Sequence, residues 1–532
     1  TAVGQNALGV CNGGDYNTAV GKSALLTVDG NHNTAVGYAS LNADCVSDNT
    51  AVGKEALKVF TGSNATAVGS GAVAAASSAA GTTAVGKSAL AIVTGEYNTA
   101  VGNNAGLVLE DGIRNTAVGL AALRGTDDGN RNSAVGYDSL GANCADDNVA
   151  VGYEALNDFT GSSATAVGSG AADVAGSQTG LTAIGKSALG AATSGNDNTA
   201  VGYNCLDETI DGTNNTAVGV AALSADCVSD NTAVGRYALL NYTGSNATAV
   251  GSAAADAATS AGYLTAVGFN AGSSLVNQDH DTFVGAYAGI NTIGNSNTFL
   301  GSNAGLNAGA VDHSVAIGRD ALKGPSAFTE GGGAYNNDPT ITHTADARIV
   351  AGLYVTGTGI PAGSTIASIT DSTHFELSVS TTGGNLTGQT LTFYENQGDY
   401  NIAIGTNALA ATTSGSNNVA VGYNAGANIT EGTNNIVIGA YALDAANGTG
   451  SGAEAYNVAI GQAAMGAETS GAQYCTAIGF NALALQNGDV KNTVIGGLAG
   501  DALVGGSGNT YVGYQSGSAS VDTNDNTALG HM

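Results

Sequence analysis

Three turns bring acidic residues close together: Asp44 with Asp48, Asp146 with Asp147, and Asp226 with Asp230. Carboxylates at this spacing, joined by loop carbonyls, are hard oxygen donors of the kind Ca²⁺ takes. Asp44, Asp48, Asp226 and Asp230 are therefore the candidate calcium ligands, with solvated loop charge as the competing reading, and no other cofactor is expected. Six cysteines stand at 11, 45, 144, 205, 227 and 475 without a CxxC pair, so a zinc site is not expected. The six histidines (32, 280, 313, 343, 374 and 531) are scattered and have no partner at a useful spacing. No nucleophile–base arrangement and no acid–base carboxylate pair stands out, so the chain is not expected to be an enzyme.

What must position these residues is unusual. Of 532 residues 82 are Gly, only 10% are charged and Pro occurs three times. Forty-two acidic residues against thirteen basic ones give a formal charge of −29. Such a polyanion repels nucleic acid and anionic membranes, so neither is expected as a partner. No 18-residue apolar run is present, and the Ala-rich piece from Gly69 to Gly86 is broken by Ser, Gly and Thr; no membrane insertion is expected of this segment. The chain opens on Thr1-Ala2-Val3-Gly4 and closes on Thr527-Ala528-Leu529-Gly530, both partway through a repeated phrase, and reads as an excerpt of a longer polypeptide.

That phrase is Asn-Thr-Ala-Val-Gly. With its Gly as position zero, copies fall at 4, 21, 37, 53 and onward to 318, then resume at 405 and run to 530: 20 plus 8, or 28 copies, nearly always 16 or 17 apart. A fixed short period over such a length signals a solenoid whose copies are stacked coils. Thr at −3 and Val, Ile or Leu at −1 are two apart and share one face of a strand. Because Val149, Val315, Val419, Val458, Ile402 and Ile436 replace Thr at −3, that face is expected to be the interior. Position −2, usually Ala, accepts Phe283, Phe299, Tyr511 and Val437, and is expected to face outward.

Glycines at zero (Gly37, Gly53, Gly136, Gly219, Gly422) and at −7 are read as corners supplied with φ > 0. Asparagines at −4 (Asn33, Asn49, Asn215, Asn418) are expected to form an amide ladder along the stack. The small residue at +3 and the Leu at +4 suggest a second short strand. Position +1 holds six of the thirteen basic residues (Lys22, Lys54, Lys87, Lys186, Arg236 and Arg319) and reads as a solvent edge. No copy contains Pro; Pro325, Pro339 and Pro361 all fall in the one gap. At about 4.8 Å per coil the stack would be on the order of 130 Å long, and covering the Ala face in a thin roll leads to a homotrimer as the expected assembly. Cys45, Cys144 and Cys227 occupy equivalent places five or six coils apart, roughly 24–29 Å, too far for disulfides within one chain; buried thiols are expected.

The fold class is thus all-β: a parallel β-solenoid or β-roll of about 28 coils, homotrimeric, with one inserted small β domain. The divisions are 1–323 for the first arm, 324–400 for a small sandwich or barrel, and 401–532 for the second arm. In the insert, strands are expected at Ala347–Thr356, Ser364–Thr370, Phe375–Ser380 and Thr390–Tyr394, separated by turns such as Gly359 to Gly363. Insertions in solenoids often carry contacts, which makes Tyr354, His374, Phe375 and Tyr394 the candidate contact surface. Near-copied blocks starting at Asn42, Gly141 and Ser224 point to growth by duplication, as in a fibre shaft.

Ser314 to Gly318, Asn401 to Gly405 and Asn457 to Gly461 resemble the NSVAIG head repeat of trimeric autotransporter adhesins, a left-handed parallel β-roll that trimerises. The Asn-Thr-Ala-Val-Gly-Tyr-Asn form at Asn198 to Asn204 resembles repeats of bacteriophage tail fibres, and Val355 to Thr370 resembles small β modules of phage structural proteins. The repeat likeness covers most of the chain, but the period of 16–17 exceeds the adhesin head's roughly 14, and no coiled-coil stalk or membrane anchor is seen. The resemblance implies an extracellular structural fibre. A phage tail-fibre or virion-fibre shaft holding out a host-receptor-binding element is the leading expectation. A bacterial surface adhesin or extracellular filament is the alternative. The expected partners are further copies of the chain and a host cell-surface glycan or protein. An ice- or mineral-binding solenoid would need its Thr ranks exposed, and a polysaccharide-cleaving fibre would need carboxylates clustered in a groove between chains.

Overall fold

The structure is a computed structural model that describes residues 1–11, 13–174, 176–292, 294–324, 328–351, 353–361, 364–394, 398–446, 454–468, 471–488 and 491–531. Pro325 and the Ala362-Gly363 end of one expected turn lie outside these residues. The chain is all-β, with no helix among the described residues. It resolves into two compact units, Thr1–Ser245 and Asn246–Met532. Each is a parallel β-solenoid in which one coil contributes one three-residue strand centred on −2. Fifteen such strands build the first unit, from Ala2–Val3 to Thr232–Val234, and thirteen the second, from Thr248–Val250 to Thr527–Leu529.

Register follows from the repeat. Thr34, Ala35 and Val36 pair with Thr50, Ala51 and Val52, and further rungs within the units are offset by one copy in the same way. The bonds alternate in direction along the coil: Thr34 N–H donates forward to Asn49 O at 2.8 Å, and Gly37 N–H donates back to Val20 O at 2.8 Å. Within each unit an interior coil has its main chain paired on both sides.

The inward and outward faces are the reverse of the sequence expectation. Ala at −2 is buried, Thr at −3 is half-buried, and Val at −1 remains exposed, as in Thr34-Ala35-Val36 and Thr83-Ala84-Val85. The interior holds only one or two side chains across, and the small residue is the one that fits. Phe283, Phe299, Tyr511 and Val437 therefore enter the core rather than the surface. Room is made at +4. Where Phe283, Phe299 and Tyr511 stand at −2, the +4 Leu of other coils is replaced by Gly289, Gly305 and Gly517. A methyl on Gly289 would lie 2.6 Å from Phe283 Cγ, and one on Gly517 would lie 2.6 Å from Tyr511 Cδ2. In other coils a +4 glycine, such as Gly106 or Gly272, is offset by a buried Leu at +7, Leu109 or Leu275. In these coils a large residue at one core position is matched by a small one at another.

The segment directly after each zero glycine is a turn rather than the strand expected, and among the described residues a second short strand forms beyond it only in the first coils, where Val10–Cys11 pairs with Thr27–Val28. Residues +2 and +4 both adopt left-handed backbone, as at Glu55 (φ 60°) and Leu57 (φ 52°). Leu is poorly suited to this region, but its side chain is fully buried and its N–H donates to the next coil, Leu57 to Ala72 O at 3.0 Å. At the zero glycines themselves φ runs from +127° to +149°, and a methyl on Gly53 would lie 2.5 Å from Gly69 O. Of the −7 glycines Gly506 has positive φ (+114°), but others meet a different need. Gly14, Gly30, Gly95 and Gly112 do not have positive φ; a methyl on any of them would strike a carbonyl of the next coil.

In the second unit the ladder continues across the non-repetitive stretch as though it were absent, with Val315, Ala316 and Ile317 pairing with Ile402, Ala403 and Ile404. The stretch itself forms a six-stranded antiparallel sheet of β1 (Phe328–Asn336), β2 (Thr340–Thr342), β3 (Tyr354–Thr356), β4 (Ile366–Asp371), β5 (His374–Leu377) and β6 (Asn385–Tyr394) in the order β3-β6-β1-β2-β5-β4. β1 and β2 were not expected from the sequence, because Glu-Gly-Gly-Gly in β1 reads as a loop; the strand carries register shifts there. Tyr335, Ile341, Val355, Ile366, Phe375 and Phe393 are among its core residues.

Candidate functional site

The most extended surface feature is the outward side of the Thr-Ala-Val strand. Thr at −3 and Val, Ile or Leu at −1 form two parallel files in each unit. Val36 keeps 36% of its surface exposed, Val101 39% and Ile184 40%. No residue at −3, −2 or −1 is charged in any of the 28 copies, on a chain of net charge −29. In the second unit five successive coils carry two aliphatic residues each: Val315/Ile317, Ile402/Ile404, Val419/Val421, Ile436/Ile438 and Val458/Ile460. Charge lies elsewhere; Lys22, Lys54, Lys87, Lys186, Arg236 and Arg319 at +1 are all exposed.

Two polar ladders hold the coils in register. Asn33 and Asn49 are buried, and each side-chain oxygen accepts the N–H at −4 of the next coil, Asn49 N–H to Asn33 Oδ1 at 3.0 Å. Direct amide-to-amide bonds of the kind expected also occur, Asn435 Nδ2 to Asn418 Oδ1 at 3.0 Å. Asn215 and Asn418 occupy the same rung position. Two runs stop where an aromatic stands at −9: Phe60 and Phe159 are buried in coils whose −4 residue is Ala65 or Ala164. The second ladder, at −6, was missed in the sequence. There Asn31 Oδ1 accepts from Asp15 N–H at 2.6 Å, Asn130 from Ile113 at 2.9 Å, and Asp312 from Asn295 at 2.6 Å. The enrichment of Asp, Asn and Ser at −6 was its signal.

The calcium candidates do not converge. Asp44 Oδ1 accepts from Asp29 N–H at 3.0 Å, Asp226 Oδ1 from Ile210 N–H at 2.9 Å, and Asp230 Oδ1 from Asn214 Nδ2 at 3.1 Å. Asp48 lies 3.8 Å from His32 Nδ1. Among the described residues no group of three or more His, Cys, Asp or Glu could hold a metal ion. Asp146 and Asp147 instead bind Arg131, at 3.1 and 2.6 Å. Cys45, Cys144, Cys205, Cys227 and Cys475 are buried and form no disulfide. Burial pushes Cys45 up to about 11 and Cys205 up to about 12, so neither is poised as a nucleophile. Cys144 and Cys227 also contact Thr126 and Thr209 hydroxyls, at 3.1 and 3.3 Å.

Of the contact residues expected in the insert, Phe375 is in the core of the sheet and cannot be a surface element. It packs against His343, with ring centroids 5.1 Å apart. Its burial follows from strand alternation in β5, where Phe375 and Leu377 point inward. His374 is half-buried and bonded to Asp371 at 2.9 Å, and the imidazole holds that carboxyl down to about 2. The side chains of Tyr354 and Tyr394 lie outside the described ones. No helix among the described residues is long and apolar enough to cross a membrane.

No protein-family model, no curated protein and no solved structure matches this chain.

Proposed function

We propose that this chain is a shaft segment of an extracellular virion fibre, a phage tail fibre that holds out a host-receptor-binding element, and that copies of it meet along the Thr–Val face as a homotrimer. The observation that carries the reading is the long uncharged outward file of Val, Ile and Thr. An Ala face gives no reason for a trimer, because Ala35 and its equivalents are already buried. The face in need of cover is the opposite one. Burying the remaining third of a Val contributes about 0.5–1 kcal/mol. One such residue does little against an association cost of roughly 4–15 kcal/mol; fifteen in the first unit give a total of that order. A face that works only through its length suits a fibre. The number three rests on the resemblance to trimerising repeats. The 324–400 sheet is read as an inserted domain and the candidate carrier of contacts with a host glycan or protein.

The test is the mass of the full chain by light scattering after size exclusion. A trimer is expected for the native sequence, and a monomer for a variant with Val118→Lys and Val151→Lys. A native monomer, or a lysine variant that still trimerises, overturns the assembly. Antibody labelling then separates the biological settings: label on phage tails supports the virion fibre, and label on uninfected cells supports the bacterial adhesin or filament.

The outward Thr file also favours a second reading. A flat, regular rank of Thr beside Val is what an ice- or mineral-binding face requires, and Thr34, Thr50 and Thr66 are in register on it. Thermal hysteresis from the native chain would support this reading, and none would remove it.

A further inference from the structure

Each asparagine rung performs two tasks. Asn297 Oδ1 accepts the N–H of Ser314 at 3.0 Å, and its Nδ2 donates to the Val311 carbonyl, at −7 of the next coil, at 2.7 Å. Asn98 does the same with Asn115 N–H at 2.8 Å and Gly112 O at 2.7 Å, and Asn401 with Asn418 N–H at 3.0 Å and Gly415 O at 2.7 Å. The position asks for one acceptor and one donor.

In the coil of Gly285 this position is Asp281. It is fully buried, and its Oδ1 accepts from Asn297 N–H at 2.8 Å, as an asparagine would. Its Oδ2 is buried without a hydrogen-bond partner. The rung before it is Leu264, also buried, and the carbonyl at −7 of the next coil belongs to Gly294. An ionised carboxylate has acceptors only and would leave a desolvated anion where every asparagine places a donor.

We propose that Asp281 is held as the neutral acid, its Oδ2–H standing in for an asparagine Nδ2–H and donating to the Gly294 carbonyl, so that this rung is a proton-binding site that loosens when the proton leaves.

The surroundings agree. Burial is the largest cause, and the carboxylates of Asp312, two coils on, and Asp279, in its own coil, add to it; together they push the Asp281 carboxyl up to about 7 despite its bonds to Asn297. Two further titratable side chains beside these acids in the sequence are His280, stacked on Tyr263 at 5.1 Å, and His313, stacked on Tyr400 at 5.1 Å. Both rings lie on the exposed −5 file, and Asn295 and Asn297 of the following coil are neutral. With a folded value near 7 against an unfolded one of about 3.9, the native state binds the extra proton. Its stabilisation is complete below about pH 4 and is lost as pH rises through about 7.

The experiment uses the full chain, with Asp281→Asn to restore the common rung and Asp281→Ser as a second variant, since Ser314 fills the same place elsewhere. The native folding equilibrium is expected to weaken by about tenfold per pH unit between about pH 4 and 7 relative to Asp281→Asn. Asp281→Asn should melt higher than the native chain at about pH 8. The infrared difference between the native chain and either variant at about pH 6 should contain the carbonyl band of one protonated carboxyl. A pH profile shared by the native chain and Asp281→Asn, or a difference spectrum without that band, overturns the proposal.

Discussion

A single glycine per coil sets the pitch at which coils approach. Gly53 has φ +134°, and any side chain there would meet the Gly69 carbonyl. Gly53→Ala is expected to destabilise the first unit by roughly 1–3 kcal/mol from backbone strain alone, with the steric collision adding to this. Lys54→Ala, one residue on at the exposed edge, should change stability by less than about 0.5 kcal/mol. Denaturant unfolding of the two variants side by side makes the comparison, and equal effects would remove the zero glycine from its structural role. The Asn and Gly positions were legible in the sequence because each is the residue type its geometry demands. The −6 ladder was not, since Asp, Asn, Ser and even Gly262 share the column, and an acceptor ladder tolerates gaps that a steric corner does not.

Within one coil the unit of selection is volume. Phe299 fills the space that Leu fills at +4 in other coils, and Gly305 exists to admit it. Phe299→Ala should cost about 3–5 kcal/mol by leaving a cavity. Gly305→Leu alone should be disruptive through overpacking. The double variant restores the common Ala-and-Leu coil and should recover most of the loss, because Leu already tolerates left-handed backbone at +4, as at Leu322 (φ 48°). A thermal double-mutant cycle reads this directly; additive losses would show that the two sites are not sharing one space. This exchange was visible in the sequence as Phe at −2 paired with Gly at +4. Read one column at a time, the variety at −2 suggested a surface, and only the pair reveals a core.

Across the whole chain, charge is segregated from the face proposed to join copies. Association through Val and Thr should therefore persist, or strengthen, as salt is raised, whereas ion-pair assembly would weaken. Sedimentation at low and high salt distinguishes these outcomes. With the candidate acids bonded to neighbouring coils rather than gathered, a chelator is expected to leave the melting temperature unchanged; a drop on adding one would reinstate calcium at Asp44, Asp48, Asp226 or Asp230.

Period, strand position, the zero-glycine corners and the Asn column followed from the amino-acid order, because each repeats and each is tied to one local geometry. A two-residue alternation, however, looks the same from either side. It says that Thr and Val share a face and that Ala takes the other, but not which one is inside. The closed coil decided that: its interior is so narrow that the small residue goes in, and the β-branched pair is left outside.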